Sequence, residues 1–482
     1  MISAERTRRA LAAGTASLTL AALAVPAAHA QATDAETLRQ MRQELDALRT
    51  EQSQAKAAEQ ARAQRMDALA RQLARASGEP IVETPPVTEI PAQATSGWPR
   101  SDGGRKFEIY GFAQADYIHD FDRVDNSWDS ALRPSKIPTT KGQFGANGQD
   151  ITSVKQSRFG VQASQPVGGK DLFVKFEFDL FGTGVDAGQT TFRLRHIYGT
   201  WGPLLAGQTN SLFMDGDTFP NTIEYWGPIG MVFLRNPQVR YTWNAGTHHR
   251  LAVAIEKPGN DIDPGDIRVV DPALGSALQA SEELPDITAQ YRYTGDWGHV
   301  QLAGIMRRVG FETIGTVDNE PKNHKFGWGV NLTSNIKVFD KDVIHLAAVY
   351  GEGIASYMND GGTDLGPKGR AVILPNGQIT GLRPDVVPTL GLMAYYDHAW
   401  NDRWSSSIGW SQHQQYNLSF QSPTAFQSGQ YASLNLLWTP APRIMMGGEF
   451  LWGLREDNDG NKGEDTRIQL SFKYAFSSDD FR

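Results

Sequence analysis

From Phe107 onward, apolar and polar residues alternate with a period of two, as they do in a strand whose two faces meet different surroundings. The segment 466–476 is the cleanest. Ile468, Leu470, Phe472, Tyr474 and Phe476 share one face, and Arg467, Gln469, Ser471, Lys473 and Ala475 share the other. Leu172, Val174, Phe176, Phe178 and Leu180 alternate with Lys175, Glu177 and Asp179 in the same way. So do Ile287, Ala289, Tyr291 and Tyr293 with Gln290 and Arg292. The pattern predicts strands near 107–119, 155–165, 171–181, 190–200, 203–209, 238–244, 249–257 and 285–295. It predicts eight more near 298–308, 325–335, 342–352, 389–399, 403–414, 430–439, 442–453 and 466–476.

The spacing of these sixteen segments decides more than any one of them. Connections at Gln165–Lys170, Trp201–Pro203, Asn244–His249, Gly295–His299, His398–Arg403 and Thr439–Pro442 are short. Those after odd-numbered strands are mostly longer, the longest spanning 119–155, 209–238 and 352–389. Short turns on one rim and long loops on the other mark an outer-membrane barrel, and closure leaves no edge strand. Trp201, Tyr241, Trp243, Trp400, Trp404, Trp438 and Trp452 fall near strand ends, where interfacial girdles belong. A soluble β protein would need an apolar inward face, yet the second face carries Lys175, Glu177, Asp179, Arg193, Arg195 and Arg292. The expectation is an all-β fold, a 16-stranded antiparallel transmembrane β-barrel over 107–482 with a polar, water-holding interior.

Three segments precede it. Residues 1–30 form a signal peptide: Arg6, Arg8 and Arg9 lead an apolar run from Leu11 to Val25, and Ala28-His29-Ala30 supplies the cleavage pattern. Residues 34–76 contain neither Gly nor Pro. A heptad frame places Leu38, Leu45, Gln52, Glu59, Met66 and Leu73 at a, and Met41, Leu48, Ala55, Arg62, Leu69 and Ala76 at d. That seam predicts an N-terminal α-helical coiled-coil segment, apolar at both ends and polar between them. Residues 77–106, with Pro80, Pro85, Pro86, Pro91 and Pro99, form an extended Pro-rich linker. With an even strand count, both ends of the barrel lie at the short-turn rim, which puts the helix in the periplasm.

Composition narrows the chemistry. The 22 Phe, 12 Trp and 14 Tyr together equal the 48 Gly, as a large β protein allows. Zero Cys excludes disulfides, thiolate metal sites and Cys nucleophiles. A net charge of -8 argues against nucleic acid as a partner. No cofactor and no metal site is expected.

A barrel of about sixteen strands encloses an aqueous channel, so transport is the expected function, with selectivity set by charges at the narrowest point. The connection 209–238 carries Phe213, Phe219, Tyr225, Trp226 and Phe233, more apolar groups than a solvated loop needs. It is expected to fold inward as a constriction loop bearing Asp215, Asp217 and Glu224, closed by Arg235. By register the inward bases are Arg158, Lys175, Arg193, Arg195, Arg240, Arg250, Arg292, Arg307, Lys325, Arg443, Arg467 and Lys473. The inward acids are Glu108, Asp116, Glu177, Asp179, Glu256, Asp286, Asp397 and Glu449. The excess of bases predicts a lumen that favours small anionic solutes, which Arg grips in bidentate fashion. Arg158, Lys175, Arg193, Arg195, Arg240 and Arg292 are the expected pore-lining, substrate-binding set.

Several pieces of the chain then form a recognisable order. They are Phe107-Glu108-Ile109-Tyr110-Gly111-Phe112, Ser157-Arg158-Phe159-Gly160 and Arg193-Leu194-Arg195-His196-Ile197-Tyr198-Gly199. Ala206-Gly207-Gln208-Thr209 and Asn236-Pro237-Gln238-Val239-Arg240-Tyr241 flank the long third loop. With the exported helical segment in front, the mature chain resembles the DcaP-like outer-membrane porins. That resemblance implies a homotrimer of sixteen-stranded porins with a periplasmic coiled coil, passing negatively charged small molecules such as dicarboxylates. One departure is the C-terminus, where Phe476 completes the alternation but Ser477 to Arg482 follow. Either the strand runs on to Phe481 or these residues form a short tail.

Other signals carry less. Asp457-Asn458-Asp459-Gly460-Asn461 resembles a calcium loop, but its sixth position is Lys462 and its twelfth Ile468, so a solvated acidic loop is expected. Asn260-Asp261-Ile262-Asp263-Pro264-Gly265-Asp266 has the same reading, with loose divalent-ion binding at the lipopolysaccharide surface open for both loops. His248-His249 lies in a turn without a further ligand. An outer-membrane lipid hydrolase would need an outward nucleophile and base. His196 falls on the outward parity beside Phe192, Leu194 and Tyr198, but no Ser stands out as its partner. A structural tether, holding the outer membrane to peptidoglycan through the coiled coil, is the remaining alternative.

Overall fold

The computed structural model describes residues 105–369, 372–373, 379–380 and 383–481. The expected signal peptide, the coiled coil and all but the last two residues of the linker lie outside the described residues. Sixteen antiparallel strands form a closed barrel. They are β1 (Lys106–Asp120), β2 (Gln149–Ser153 and Arg158–Val167), β3 (Lys170–Phe181), β4 (Thr190–Trp201), β5 (Leu204–Asn210) and β6 (Arg235–Ala245). Next come β7 (His249–Glu256), β8 (Asp286–Gly295), β9 (Gly298–Thr313), β10 (Asn323–Val338) and β11 (Asp342–Glu352). β12 (Pro388–Ala399), β13 (Trp404–Gln415), β14 (Phe426–Ala441), β15 (Ile444–Asp457) and β16 (Lys462–Ser477) complete the wall. β16 returns to β1 from Tyr110 opposite Ser477 to Asp120 opposite Arg467, so every strand has two partners.

Alternation works as expected on β16: Ile468, Leu470, Phe472, Tyr474 and Phe476 are exposed on the outside, while Arg467, Gln469 and Ser471 are buried within. β2 is interrupted at 154–157, where Ser157 replaces ladder bonds. Its Oγ accepts from Gln114 N at 3.0 Å and donates to Gln114 O at 3.2 Å. Trp404 and Trp438 stack at 5.8 Å near the short-turn rim, and Trp452 lies opposite Thr466 toward the long-loop rim. Aromatic residues therefore mark both ends of the wall.

Four expectations need correction. First, β4 carries a bulge. Glu177 faces His196 and Phe178 faces Leu194, leaving Arg195 as the extra residue. Parity reverses there, so His196 is buried on the lumen side and Ile197 takes the outward position. Tyr198, opposite Lys175, also faces inward. Second, Arg443 is not in the lumen. It sits in the turn between β14 and β15 at φ 70 and pairs with Asp480 at 2.6 Å. Third, Asp457 is not part of a solvated loop. It is buried and accepts from Arg455 Nε and Thr139 Oγ1, each at 2.7 Å.

The fourth concerns the interior, which is polar on only part of its wall. Ala303 and Ile305 of β9, Ala347 and Val349 of β11, Met393 and Tyr395 of β12, Tyr431 of β14 and Leu451 of β15 are inward and buried. They pack with Leu132 and Ile137 of loop 121–148, Phe213, Ile229 and Val232 of loop 211–234, and Ile354 and Tyr357 of loop 353–387. The physical reason is coverage: three long loops lie on these strands and replace water. The third loop comes so close that its contact with the wall requires glycine. A Cβ on Gly391 of β12 would lie 1.8 Å from Gly230 O, and Gly230 has φ +71.

At the C-terminus, β16 stops at Ser477 and a single 3-10 turn, Ser478–Phe481, follows. Ile109 N donates to Ser478 Oγ at 3.0 Å, which ties that turn to β1. The last residues are thus a short tail, and the register of β16 ends at Phe476 and Ser477.

Candidate functional site: the basic wall of the lumen

Alternation on β2, β3, β4, β6, β7 and β16 turns a run of cations toward the lumen. Arg158 of β2 lies 3.6 Å from Glu177 of β3, with its guanidinium 5.2 Å from the Phe112 ring centre. Lys175 approaches Glu177 at 3.2 Å and the Tyr110 ring at 5.4 Å. Arg193 takes Asp179 in a fork, with bonds of 3.1 and 2.7 Å. Arg195 bridges Glu177 and Asp179, each at 2.9 Å, and donates to Tyr225 of the third loop at 3.2 Å. The bulge brings His196 into this group, 3.9 Å from Glu177 and 3.0 Å from Thr209 Oγ1.

Further along the wall the cations bond to neutral groups or lie over rings. Arg240 donates to Gln238 Oε1 at 2.9 Å and to Asn210 O at 2.6 Å. Arg235, the first residue of β6, lies over the Phe233 ring at 4.8 Å, and Lys473 lies over Phe112 at 4.6 Å. Among the described residues, Arg235, Arg240, Arg250 and Lys473 form no ion pair.

The loop acids do other work. Asp215 accepts from Arg292 at 3.2 Å and from His299 at 2.7 Å, and Thr333 donates to it at 2.6 Å. Asp217 is bonded to the second amino group of Arg292. These contacts pin the loop to β8, β9 and β10, and they neutralise Arg292. Glu224 accepts from Leu132 N at 3.0 Å and Gly227 N at 2.6 Å, tying the first long loop to the third. The loop continues past β12, β14 and β15, where Asn221 N donates to Asp397 at 3.1 Å, Asn435 donates to Asn221 O at 2.8 Å and Ile223 N donates to Glu449 at 2.8 Å. It reaches β3 through Tyr225, whose hydroxyl donates to Asp179.

Arg158, Lys175, Arg193 and Arg195 are therefore brought together around two carboxylates, with Arg240 and Arg235 on β6 and Arg292 drawn away by the loop. Tyr110 and Phe112 are neighbours that residue-by-residue reasoning missed, while Tyr198 was expected on the outward parity and Tyr225 in the inward loop without its partner Asp179. Tyr110 and Phe112 had a signal, since both fall on the even, inward parity of β1. A second lock also escaped notice. Arg133 pairs with Asp360 at 2.8 Å and lies over the rings of Trp128 and Trp226, at 4.0 and 4.4 Å, joining three loops. Among the described residues no group of three or more His, Asp or Glu is placed to hold a metal ion.

A closed sixteen-stranded barrel with a long third loop folded against its inner wall defines an outer-membrane porin. The profile of the DcaP outer membrane protein family matches residues 91–476, and the chain belongs to that family. The outer membrane channel DcaP of Acinetobacter baumannii has the same fold, with a TM-score of 0.64 at 23% identity, over 78% of this chain and 99% of that one. OmpT of Vibrio cholerae matches with a TM-score of 0.46 at 12% identity, over 78% of this chain and 99% of its own. No curated protein matches the chain. The protein is thus an outer-membrane protein of the DcaP family with the fold of a porin.

Proposed function

We propose that this porin takes up small anionic solutes passively, dicarboxylates among them. The observation that carries the reading is the set of lumen cations, Arg235, Arg240, Arg250 and Lys473, that form no direct ion pair with a carboxylate among the described residues. A charge left unpaired by the protein raises the local concentration of mobile counter-ions, and a wall of one sign focuses that field. Arg presents a planar fork that matches a carboxylate, so two cations spaced along the wall suit a solute with a carboxylate at each end. The pore-lining set is Arg158, Lys175, Arg193, Arg195 and Arg240, with Arg292, Asp215, Asp217 and Glu224 holding the constriction loop and Arg235 at its end.

The functional unit in this reading is a homotrimer set among outer-membrane lipids and lipopolysaccharide, with residues 34–76 as a periplasmic coiled coil. Both ends of the barrel lie at the short-turn rim, which supports placing the preceding segment on the periplasmic side. Contact with peptidoglycan through that segment makes a tether a second role, compatible with a pore.

The test is a reversal potential across a planar bilayer holding the purified protein in a salt gradient, repeated with succinate on one side. Anion preference with succinate-dependent block is expected. Cation preference would overturn the anion reading and keep the pore. Absence of conductance from folded protein would favour the tether, for which loss of envelope integrity on deleting 34–76, with transport intact, is the signature.

A further inference from the structure

Resting on the anion-channel reading, we infer that Glu177 and Asp179 are positioning residues that set how tightly the pore holds a small dianion. They do so by fixing the cations gathered around them. By charge alone, an acid in an anion path is a handicap, yet these two lie in the densest part of the basic wall. Glu177 faces the bulge, where two residues of β4, Arg195 and His196, oppose one of β3. Its Oε1 accepts from Arg195 Nε at 2.9 Å and lies 3.6 Å from Arg158. Its Oε2 accepts from Tyr110 Oη at 2.9 Å and lies 3.2 Å from Lys175. Asp179 holds Arg193 through both oxygens and Arg195 through one, and Tyr225 fastens the third loop to the same carboxylate.

Four cations therefore share two carboxylates. Without the acids, these long side chains would repel one another and spread over many rotamers. With the acids, each is fixed while donors remain for a ligand. Arg195, for example, spends Nε and Nη1 on the protein and has Nη2 to offer. Preorganisation of this kind strengthens binding by removing the ordering cost at the moment of contact. The bulge serves the same arrangement, since bulges beside functional sites re-aim side chains.

Charge and positioning predict opposite signs for binding, which makes the inference testable in the full-length channel. For Glu177→Gln, the reversal potential should show anion preference held or raised, while the succinate concentration for half-block rises about tenfold. Asp179→Asn should behave alike through Arg193 and Arg195. Tyr110→Phe removes a bond to Glu177 without altering charge, so block should weaken by a smaller factor at an unchanged reversal potential. Glu177→Asp, which keeps the charge, should recover part of the affinity.

A merely structural role would lower thermal stability and conductance without separating selectivity from block. Succinate block as tight as wild type, or tighter, in conducting Glu177→Gln and Asp179→Asn channels overturns the positioning role while leaving an anion-selective pore. Cation preference in the wild type overturns the underlying reading instead. If Glu177→Gln fails to fold, Asp179→Asn and Tyr110→Phe carry the same comparison.

Discussion

The two halves of the inner wall obey one alternation rule and use it for opposite ends. On β9, β11, β12, β14 and β15 the inward positions include Ala303, Ile305, Val349, Met393, Tyr395, Tyr431 and Leu451, and three loops bury them. On β2, β3, β4, β6, β7 and β16 the corresponding positions hold Arg158, Lys175, Arg193, Arg195, Arg240, Arg250 and Lys473. Both halves turn apolar side chains outward, so the outer surface does not distinguish them. What differs is the cover. A strand under a loop becomes one wall of a close-packed core, in which inward polar groups such as Asn435 and Glu449 bond to the loop. A strand facing the channel keeps charges that would be too costly to bury unpaired. The loops thus divide one barrel into a structural half and an electrostatic half.

The largest expected effect tests the structural half. Phe213 is fully buried, lies 6.1 Å from the Tyr357 ring, and its carbonyl accepts from Asn331 at 2.9 Å. Phe213→Ala should cost about 3–5 kcal/mol of stability through the cavity it leaves, seen as a lower unfolding temperature. Anion preference in the channels that do fold should stay at the wild-type value. A loss of selectivity with full stability would show that the halves are not separable.

A smaller effect is expected on the electrostatic half. Arg240 hydrogen-bonds to Gln238 and the Asn210 carbonyl, both neutral, and buried Glu256, which feels its charge, keeps its own donors from Ser211, Leu212 and Thr288, so removing Arg240 breaks no direct ion pair. A unit charge about 4 Å from a permeant ion in watery surroundings is worth about 1 kcal/mol. Arg240→Ala should accordingly reduce the anion-to-cation permeability ratio roughly fivefold at low salt, with less change at high salt, and leave the unfolding temperature in place. Destabilisation with unaltered selectivity would move Arg240 to the structural side.

This division was only partly legible in the chain. Most strands were readable because they carry a period-two pattern that survives without knowledge of their partners. The third loop was readable because Phe213, Phe219, Tyr225, Trp226 and Phe233 are too apolar for solvent. The bulge was not, since Arg193, Leu194, Arg195, His196 and Ile197 alternate plausibly until pairing with Glu177 and Phe178 shows one residue too many. Nor was the half covered by loops. On β11, Leu346, Ala348 and Tyr350 face out while Ala347 and Val349 face in, so apolar residues occupy both faces and alternation falls silent. Leu132, Ile137, Ile354 and Tyr357, which cover that half, lie outside any strand and have no period to announce them. The candidate site shows the same limit. Its cations were visible one by one, but their grouping around Glu177 and Asp179 depends on the bulge.

The smallest effect expected lies where the halves meet, at Glu224, through which the first loop holds the third. Burial raises its carboxyl above the ordinary 4.5, against the lowering pull of backbone donors from Gly227, Trp226 and Leu132 and of the Arg467 charge. The docked loops therefore bind this proton more tightly than undocked ones do. The cost of ionising Glu224 is absent well below 4.5, grows as pH rises through the raised value, and is complete above it. Docking should loosen as pH rises across that window. Hydrogen exchange at the Leu132 and Gly227 amides, corrected for intrinsic rates, should show less protection at neutral than at mildly acidic pH. Glu224→Gln, which has no proton to lose, should flatten the dependence. Protection that stays constant with pH in the wild type would remove Glu224 from the junction and leave the Arg133–Asp360 pair as the link between loops.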